Sequence, residues 1–207
     1  MRQILGPEDL EEGVAYLVAI CPVWARVMPD LLPLPLRRRE DGFPALVDAV
    51  VSQMLSTQSA GAISGRMVEA GLMTEAAIRA ADDEMLRAVG LSRAKIRYLR
   101  ALAEAGMDWP ALRTLPDDEV IARLTALPGI GRWTAEIYLK FALGRADAFA
   151  AGDLALAEAA RMLYDLPERP GPAALTQLAE PWRPWRSVAA RGLWAYYRLA
   201  KGREGIR

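Results

Sequence analysis

The chain contains no histidine, only one cysteine (Cys21) and no long apolar run, and its basic and acidic residues balance at 26 each. Each of these absences removes a class of chemistry. Without histidine, a Ser-His-Asp arrangement and a His-ligated metal site are both excluded. One cysteine can neither close an internal disulfide nor supply a cysteine metal cluster. Any general acid or base therefore has to be Asp, Glu, Lys, Tyr or Cys. No apolar stretch approaches the roughly 18 residues of a membrane span. The opening "MRQILGPEDLEEG" places acids where an export signal needs an unbroken apolar stretch. The expectation is a cytoplasmic protein with no membrane partner.

The balance of charge hides an uneven distribution. Arg183, Arg186, Arg191, Arg198, Lys201, Arg203 and Arg207 face a single acid, Glu204, in the last 25 residues. Arg93, Lys95, Arg97 and Arg100 form a second basic cluster free of acids. Local basic stripes on a neutral protein can grip phosphates. A solvated helix face explains the tail equally well.

Apolar residues make up 53% of the chain, and they recur at helical spacing almost throughout. "FPALVDAVVSQML" carries them at 43, 46, 47, 50, 51, 54 and 55. "EAAIRAADDEMLRAVG" reads as a helix closed by Gly90, and "SRAKIRYLRALAEAG" as one capped by Ser92 and stopped by Gly106. "PDDEVIARLTAL", "RWTAEIYLKFALG", "DLALAEAARMLYDL" and "PWRSVAARGLWAYYRLAKG" complete the set. The proline clusters "VMPDLLPLPL" and "LPERPGP" read as loops. No alternating strand pattern appears, nor any fixed-period repeat. The predicted fold class is all-α.

One connection stands apart. "LPGIGRWTAEIYL", residues 127–139, joins two helical patterns through Pro-Gly-Ile-Gly. Glycines at 129 and 131 allow backbone geometries closed to other residues and leave N–H groups uncovered at the start of the next helix. Such a turn can cradle a phosphate, with Arg132 adding charge. It can equally be an ordinary helix–helix turn that holds nothing.

"LPGIGRWTA" resembles the helix-hairpin-helix of the DNA glycosylase superfamily known as HhH-GPD, whose Gly/Pro-rich loop is followed by an aspartate. "DAFAAGDLAL" supplies that residue as Asp153, twenty positions after Trp133. "WRPWRSVAARGLWAYY", "VVSQMLSTQSAGAI" and "GLSRAKIRYLRALA" are similar to segments of its alkylbase branch, the 3-methyladenine DNA glycosylase II type. The resemblance runs in order from about residue 43 to about residue 198.

It implies two helical lobes with an active-site cleft between them: residues 46–145 as a central lobe carrying the hairpin, and residues 1–45 packing with 146–207 as the other. It also implies a monomer acting on damaged bases in double-stranded DNA by hydrolysing the N-glycosidic bond, in base excision repair. Leu127, Gly129, Ile130, Gly131 and Arg132 would hold the DNA backbone, with a monovalent cation on the carbonyls of Leu127 and Gly129. No other cofactor is implied, and an iron–sulfur cluster is excluded by the cysteine count. Some relatives carry a nucleophilic lysine where this chain has Trp133, so no lyase step is expected.

Asp153 becomes the catalytic carboxylate, although an Asp preceding "LALAEAARML" is also a natural helix cap. Asp147 is the nearest rival. Trp133 and Trp194 fall at base-pocket positions, although each would pass for a core tryptophan. Trp182 and Trp185 read as staples at a helix entry. The family tyrosine four residues beyond the hairpin tryptophan is Ile137, with Tyr138 beside it, which makes the pocket more apolar. Met54 matches an apolar wedge that fills the gap left by a flipped base, or is a core methionine. Gln53 and Gln58 are candidates to bond the orphaned base. A glycosylase for uracil, hypoxanthine or a mismatch, and a non-catalytic DNA-binding module, are the alternatives.

Overall fold

The computed structural model describes residues 1–202. Among these residues there is no strand, only an isolated bridge between Gln3 and Arg145. The helices are α1 (Pro7–Ile20), α2 (Pro22–Leu31), α3 (Phe43–Ser52), α4 (Thr57–Glu69), α5 (Glu75–Ala80), α6 (Asp83–Ala88), α7 (Arg93–Glu104), α8 (Trp109–Leu112) and α9 (Asp117–Thr125). They are followed by α10 (Arg132–Phe141), α11 (Leu154–Leu163), α12 (Pro172–Ala179) and α13 (Arg186–Lys201).

The chain divides into two compact units, Arg39–Tyr138 and Met1–Arg38 with Leu139–Arg207. Both divisions fall seven residues before those expected from the sequence. Contacts at residues 41–43 account for the first. Asp41 takes a two-pronged ion pair from Arg113, at 2.6 and 2.8 Å. The Gly42 N–H donates to the Tyr138 hydroxyl at 3.0 Å, and Phe43 meets Trp109 edge-on at 6.3 Å. These bonds fix residues 41–43 in the central unit.

In that unit, α7 packs against α3, α5 and α6. Ile96, Leu99 and Leu102 lie on its buried stripe, among Leu46, Val47 and Val50 of α3 and Ile78 and Leu86 of α5 and α6. The helix expected over residues 75–90 is broken in two. Ala81 is extended (ψ 140°), and Asp82 starts a new helix by accepting the Met85 N–H at 2.8 Å. Arg100 of α7 makes the break affordable. Its guanidinium donates to the carbonyls of Ile78 (3.3 Å) and Ala81 (2.8 Å) and to the Asp83 carboxylate (2.9 Å). Carbonyls orphaned at a helix end are thereby satisfied. Two further expectations are corrected. Helix α3 stops at Ser52 rather than continuing to Leu55, and Pro29 lies inside the last turn of α2 rather than in a loop.

The other unit is organised on α13, which packs on α1, α2 and α11. Val188, Ala189, Ala190, Leu193 and Trp194 are buried along it. At Gly192 the approach to α2 is so close that a Cβ would lie 2.8 Å from the Trp24 ring. Trp182 fills the entry to α13, edge-on to Trp24 (5.6 Å) and Phe149 (5.9 Å), as the staple reading expected. The N-terminal segment closes this unit: Ile4 N–H donates to the Gly144 carbonyl and Ala146 N–H to that of Arg2.

Arg100→Met should strip two helix-end carbonyls of their partner and lower stability by about 1–3 kcal/mol. The measurement is the midpoint of urea unfolding followed by helical circular dichroism; an unchanged midpoint would show that water replaces the guanidinium without loss.

Candidate nucleic-acid interface and catalytic carboxylate

Helices α9 and α10 are joined by Leu127 to Gly131. Leu127 N–H donates to the Leu124 carbonyl and Ile130 N–H to the Leu127 carbonyl, both at 3.1 Å, so the turn is tightly wound. Ile130 is buried and anchors it. Gly129 has φ +80°, and a Cβ there would sit 2.2 Å from Cγ of Tyr98. Glycine is therefore required twice over, by backbone conformation and by the aromatic ring beneath it. Gly131 differs from the expectation: its φ is not in the left-handed region, and a Cβ would meet nothing within 4 Å. Its place is exposed at the start of α10, where the first-turn N–H groups lack intrahelical acceptors. That edge can receive an anion. Arg132 is exposed, but its Nε donates to Glu136 at 2.9 Å, so its charge is shared. Trp133 is half-buried, and Ile137 is buried.

The segment after α3 is tied to this turn. Gln53 donates through Nε2 to the Gly129 carbonyl (2.9 Å) and to Thr134 Oγ1 (3.0 Å). Its amide nitrogen is thus engaged by the hairpin. Lys95 Nζ donates to the Val51 carbonyl at 2.7 Å, and burial pushes its pKa down. Met54 is held at the tip of this segment with φ +58° and its side chain fully exposed. The core reading of Met54 is excluded. A non-glycine residue in that backbone region is strained by about 1–3 kcal/mol, a cost associated with functional positions. Gln58 is exposed on the first turn of α4.

Tyr138 offers no substitute for the missing pocket tyrosine. Its hydroxyl is turned to Gly42, and burial raises its pKa to about 12.

In the other unit, Asp153 is 5% exposed and caps α11. Its Oδ1 accepts N–H bonds from Ala155 (2.9 Å) and Leu156 (3.0 Å), and from the Trp194 indole (3.3 Å). The cap reading holds: the side chain is fixed by the helix it starts. Trp194 is 1% exposed and stacks on Phe141 at 5.8 Å and 23°. Within its own unit its ring meets Phe141 and its N–H is given to Asp153. Sequence reasoning missed this link, because nothing in the spacing of residues 153 and 194 announces it.

Asp147 is occupied by arginines. Arg186 donates to both its oxygens at 2.7 and 2.9 Å, and Arg183 donates to Oδ2. Arg183 also pairs with Glu180, whose pKa is lowered chiefly by that hydrogen bond. Arg191 is buried and donates to the Ser187 and Leu36 carbonyls. Lys201 pairs with Glu158 at 3.4 Å. Arg183, Arg186, Arg191 and Lys201 are thus each engaged within the fold; Arg203, Glu204 and Arg207 lie outside the described residues. In the other cluster, Lys95 and Arg100 serve the fold, and Arg93 and Arg97 are the exposed pair. Among the described residues no cluster of three or more acids or cysteines suits a metal, and no helix is long and apolar enough to cross a membrane.

A glycine turn between two helices, an exposed apolar residue tethered beside it and a capping aspartate about twenty residues on define a helix-hairpin-helix protein of the nucleic-acid-binding class. The family model for HhH-GPD superfamily base excision DNA repair proteins matches residues 47–184. The chain belongs to that family. It is 34% identical over 211 aligned residues to DNA-3-methyladenine glycosylase 1 of Schizosaccharomyces pombe, covering 96% of this chain and 92% of that protein. The fold is similar to the solved structure of an S. pombe 3-methyladenine DNA glycosylase in complex with abasic DNA, with TM-score 0.80, 32% identity, and coverage of 92% and 97% of the two chains. A DNA-3-methyladenine glycosidase from Bacillus halodurans gives TM-score 0.77 at 29% identity, covering 99% of this chain and 96% of that one.

The two hairpin glycines should respond differently to alanine. Gly129→Ala is expected to cost roughly 1–3 kcal/mol, through positive φ and the Tyr98 clash. Gly131→Ala should cost less than about 1 kcal/mol, since its surroundings are open. Chemical unfolding of both variants checks the contrast, and equal losses would contradict it.

Proposed function

We propose that the protein is a monofunctional DNA glycosylase that excises alkylated purines, of the 3-methyladenine type, by hydrolysing the N-glycosidic bond. The observation that carries this reading is Asp153, a buried carboxylate whose Oδ1 is held by three N–H donors at a helix start. Breaking the bond between base and sugar builds positive charge on the sugar. A preorganised carboxylate lowers the energy of that state electrostatically, without having to reorient during the reaction. The same carboxylate can orient the attacking water. The alternative carboxylate, Asp147, is neutralised by Arg183 and Arg186.

The names of the relatives support the choice of base class. A purine alkylated on a ring nitrogen is cationic and already a good leaving group, so the protein needs little acid catalysis at the base. Such a base prefers an electron-rich aromatic face. Trp133 is the half-buried indole at the hairpin and is assigned that role; Ile137 gives the pocket an apolar wall. With an indole at position 133 instead of an amine, no Schiff base forms there, and strands stay intact.

The target base must leave the duplex to be reached. Met54 is assigned the wedge that fills the gap, and the Leu127–Arg132 turn the grip on the backbone. The carbonyls of Leu127 and Gly129 suit a monovalent cation in donor chemistry. Each accepts one hydrogen bond, from Ile130 N–H and Gln53 Nε2 respectively, and a carbonyl oxygen has a second lone pair to offer. A bound cation would add positive charge beside the DNA phosphate. The protein is read as a cytoplasmic monomer acting on duplex DNA.

The test is base release from methylated duplex DNA, with released bases identified by chromatography and abasic sites counted apart from strand breaks. The native protein should release 3-methyladenine or 7-methylguanine and leave strands intact. Asp153→Asn, which keeps a good helix cap, should lose about 100-fold or more in rate. Asp147→Asn should stay within a few-fold of native. Release of uracil or hypoxanthine instead would overturn the base class, and full activity in Asp153→Asn would overturn the assignment of the carboxylate.

A further inference from the structure

The apolar sequence "IYLKFAL" within and just beyond α10 is interrupted by Lys140, whose side chain is completely buried. Burying an ammonium is costly unless its surroundings repay it. Two aromatic rings lie against this one. Nζ lies 4.4 Å from the centroid of Trp194 and 5.9 Å from that of Phe149. The neighbouring Phe141 stacks on Trp194 as well. Trp194 is the residue whose indole N–H reaches Asp153 at 3.3 Å. One indole thus carries a cation on its face and the carboxylate on its edge.

We infer that Lys140 is a positioning residue for this reaction, acting through Trp194 to fix and strengthen the hydrogen bond that orients Asp153. Two physical effects combine. The cation–π contact, strong when desolvated, holds the indole plane and so the direction of its N–H. The ammonium also draws electron density from the ring, which makes the N–H a better donor to the carboxylate. A leucine or methionine in this place would pack as well and give neither effect. The inference rests on Asp153 as the catalytic carboxylate, and it adds a residue that neither the hairpin motif nor the aspartate motif contains.

The experiment uses Lys140→Met, Trp194→Phe and the double variant in the full chain. Three quantities are read: single-turnover base release from methylated duplex, affinity for duplex containing an abasic site, and the Trp194 indole N–H resonance in 15N-tryptophan-labelled protein, assigned by its loss in Trp194→Phe. Lys140→Met should slow base release by about tenfold while abasic-site affinity stays within about twofold, and the double variant should be no slower than Trp194→Phe alone. The indole resonance should move and its N–H exchange faster with water. An unshifted resonance, an unchanged rate, or losses that multiply in the double variant would each overturn the inference. If Lys140→Met does not fold, Lys140→Gln, read by the same resonance, decides. Should native protein release no base, the glycosylase reading fails by itself, while the resonance still reports whether Lys140 governs the Trp194–Asp153 bond.

Discussion

The side chain of Asp153, with almost no exposure to water, is held through one oxygen that accepts three N–H groups. Two belong to the first turn of α11 and one to an indole on α13, and much of the second unit follows from that arrangement. The helix supplies its two donors only if it begins at residue 154, so the cap and the site are inseparable. The indole supplies the third only if α13 runs close beside α11. Helix α13 does pack on α11, and at Gly192 it also comes close to Trp24 of α2. The same helix thus holds the indole donor and the core of the unit.

The hairpin unit depends on a comparable economy. Gly129 bends over Tyr98, and the carbonyl exposed by that bend is taken up by Gln53. The same glutamine bonds Thr134, one residue beyond Trp133. The chain leaving Gln53 turns at once into the strained, exposed Met54. A single amide therefore couples the glycine turn, the start of α10 and the wedge candidate. Lys95, bonded to the Val51 carbonyl, fixes the other side of the same segment. A rigid tether of this kind suits a side chain that has to enter a base stack without first being ordered, since the ordering entropy is already spent on folding.

What the sequence disclosed and what it withheld divide along physical lines. Helical periodicity, caps at Ser92 and Asp153 and the turn at Gly129 are local, and each is found where expected. Periodicity could not locate the break at Ala81, because the apolar stripe continues through it and the reason for it, Arg100, lies on another helix. Charge counting misled in the same way. The arginines of the last helix and its approach look like a phosphate stripe in sequence, yet Asp147, Glu180 and two backbone carbonyls take up three of them. The bond of Trp194 to Asp153 required a third dimension too: a core tryptophan and a pocket tryptophan have the same neighbours in sequence, and neither reading contains it. Tyr138 is the opposite case, adjacent in sequence to the place of the missing pocket hydroxyl but turned toward Gly42 by the helix rotation of one residue.

Absence of histidine sharpens the chemistry. A glycosylase that had to protonate a neutral leaving base would need an acid poised near neutrality, and histidine is the side chain whose ordinary range lies there. This chain has none, and the carboxylate proposed for catalysis has its Oδ1 held by three N–H donors. A carboxylate fixed in this way is suited to stabilising a developing cation. A cationic alkylated purine asks for that service and needs no proton to leave. The residues that the chain lacks and the one that it holds most carefully therefore point to the same substrate class.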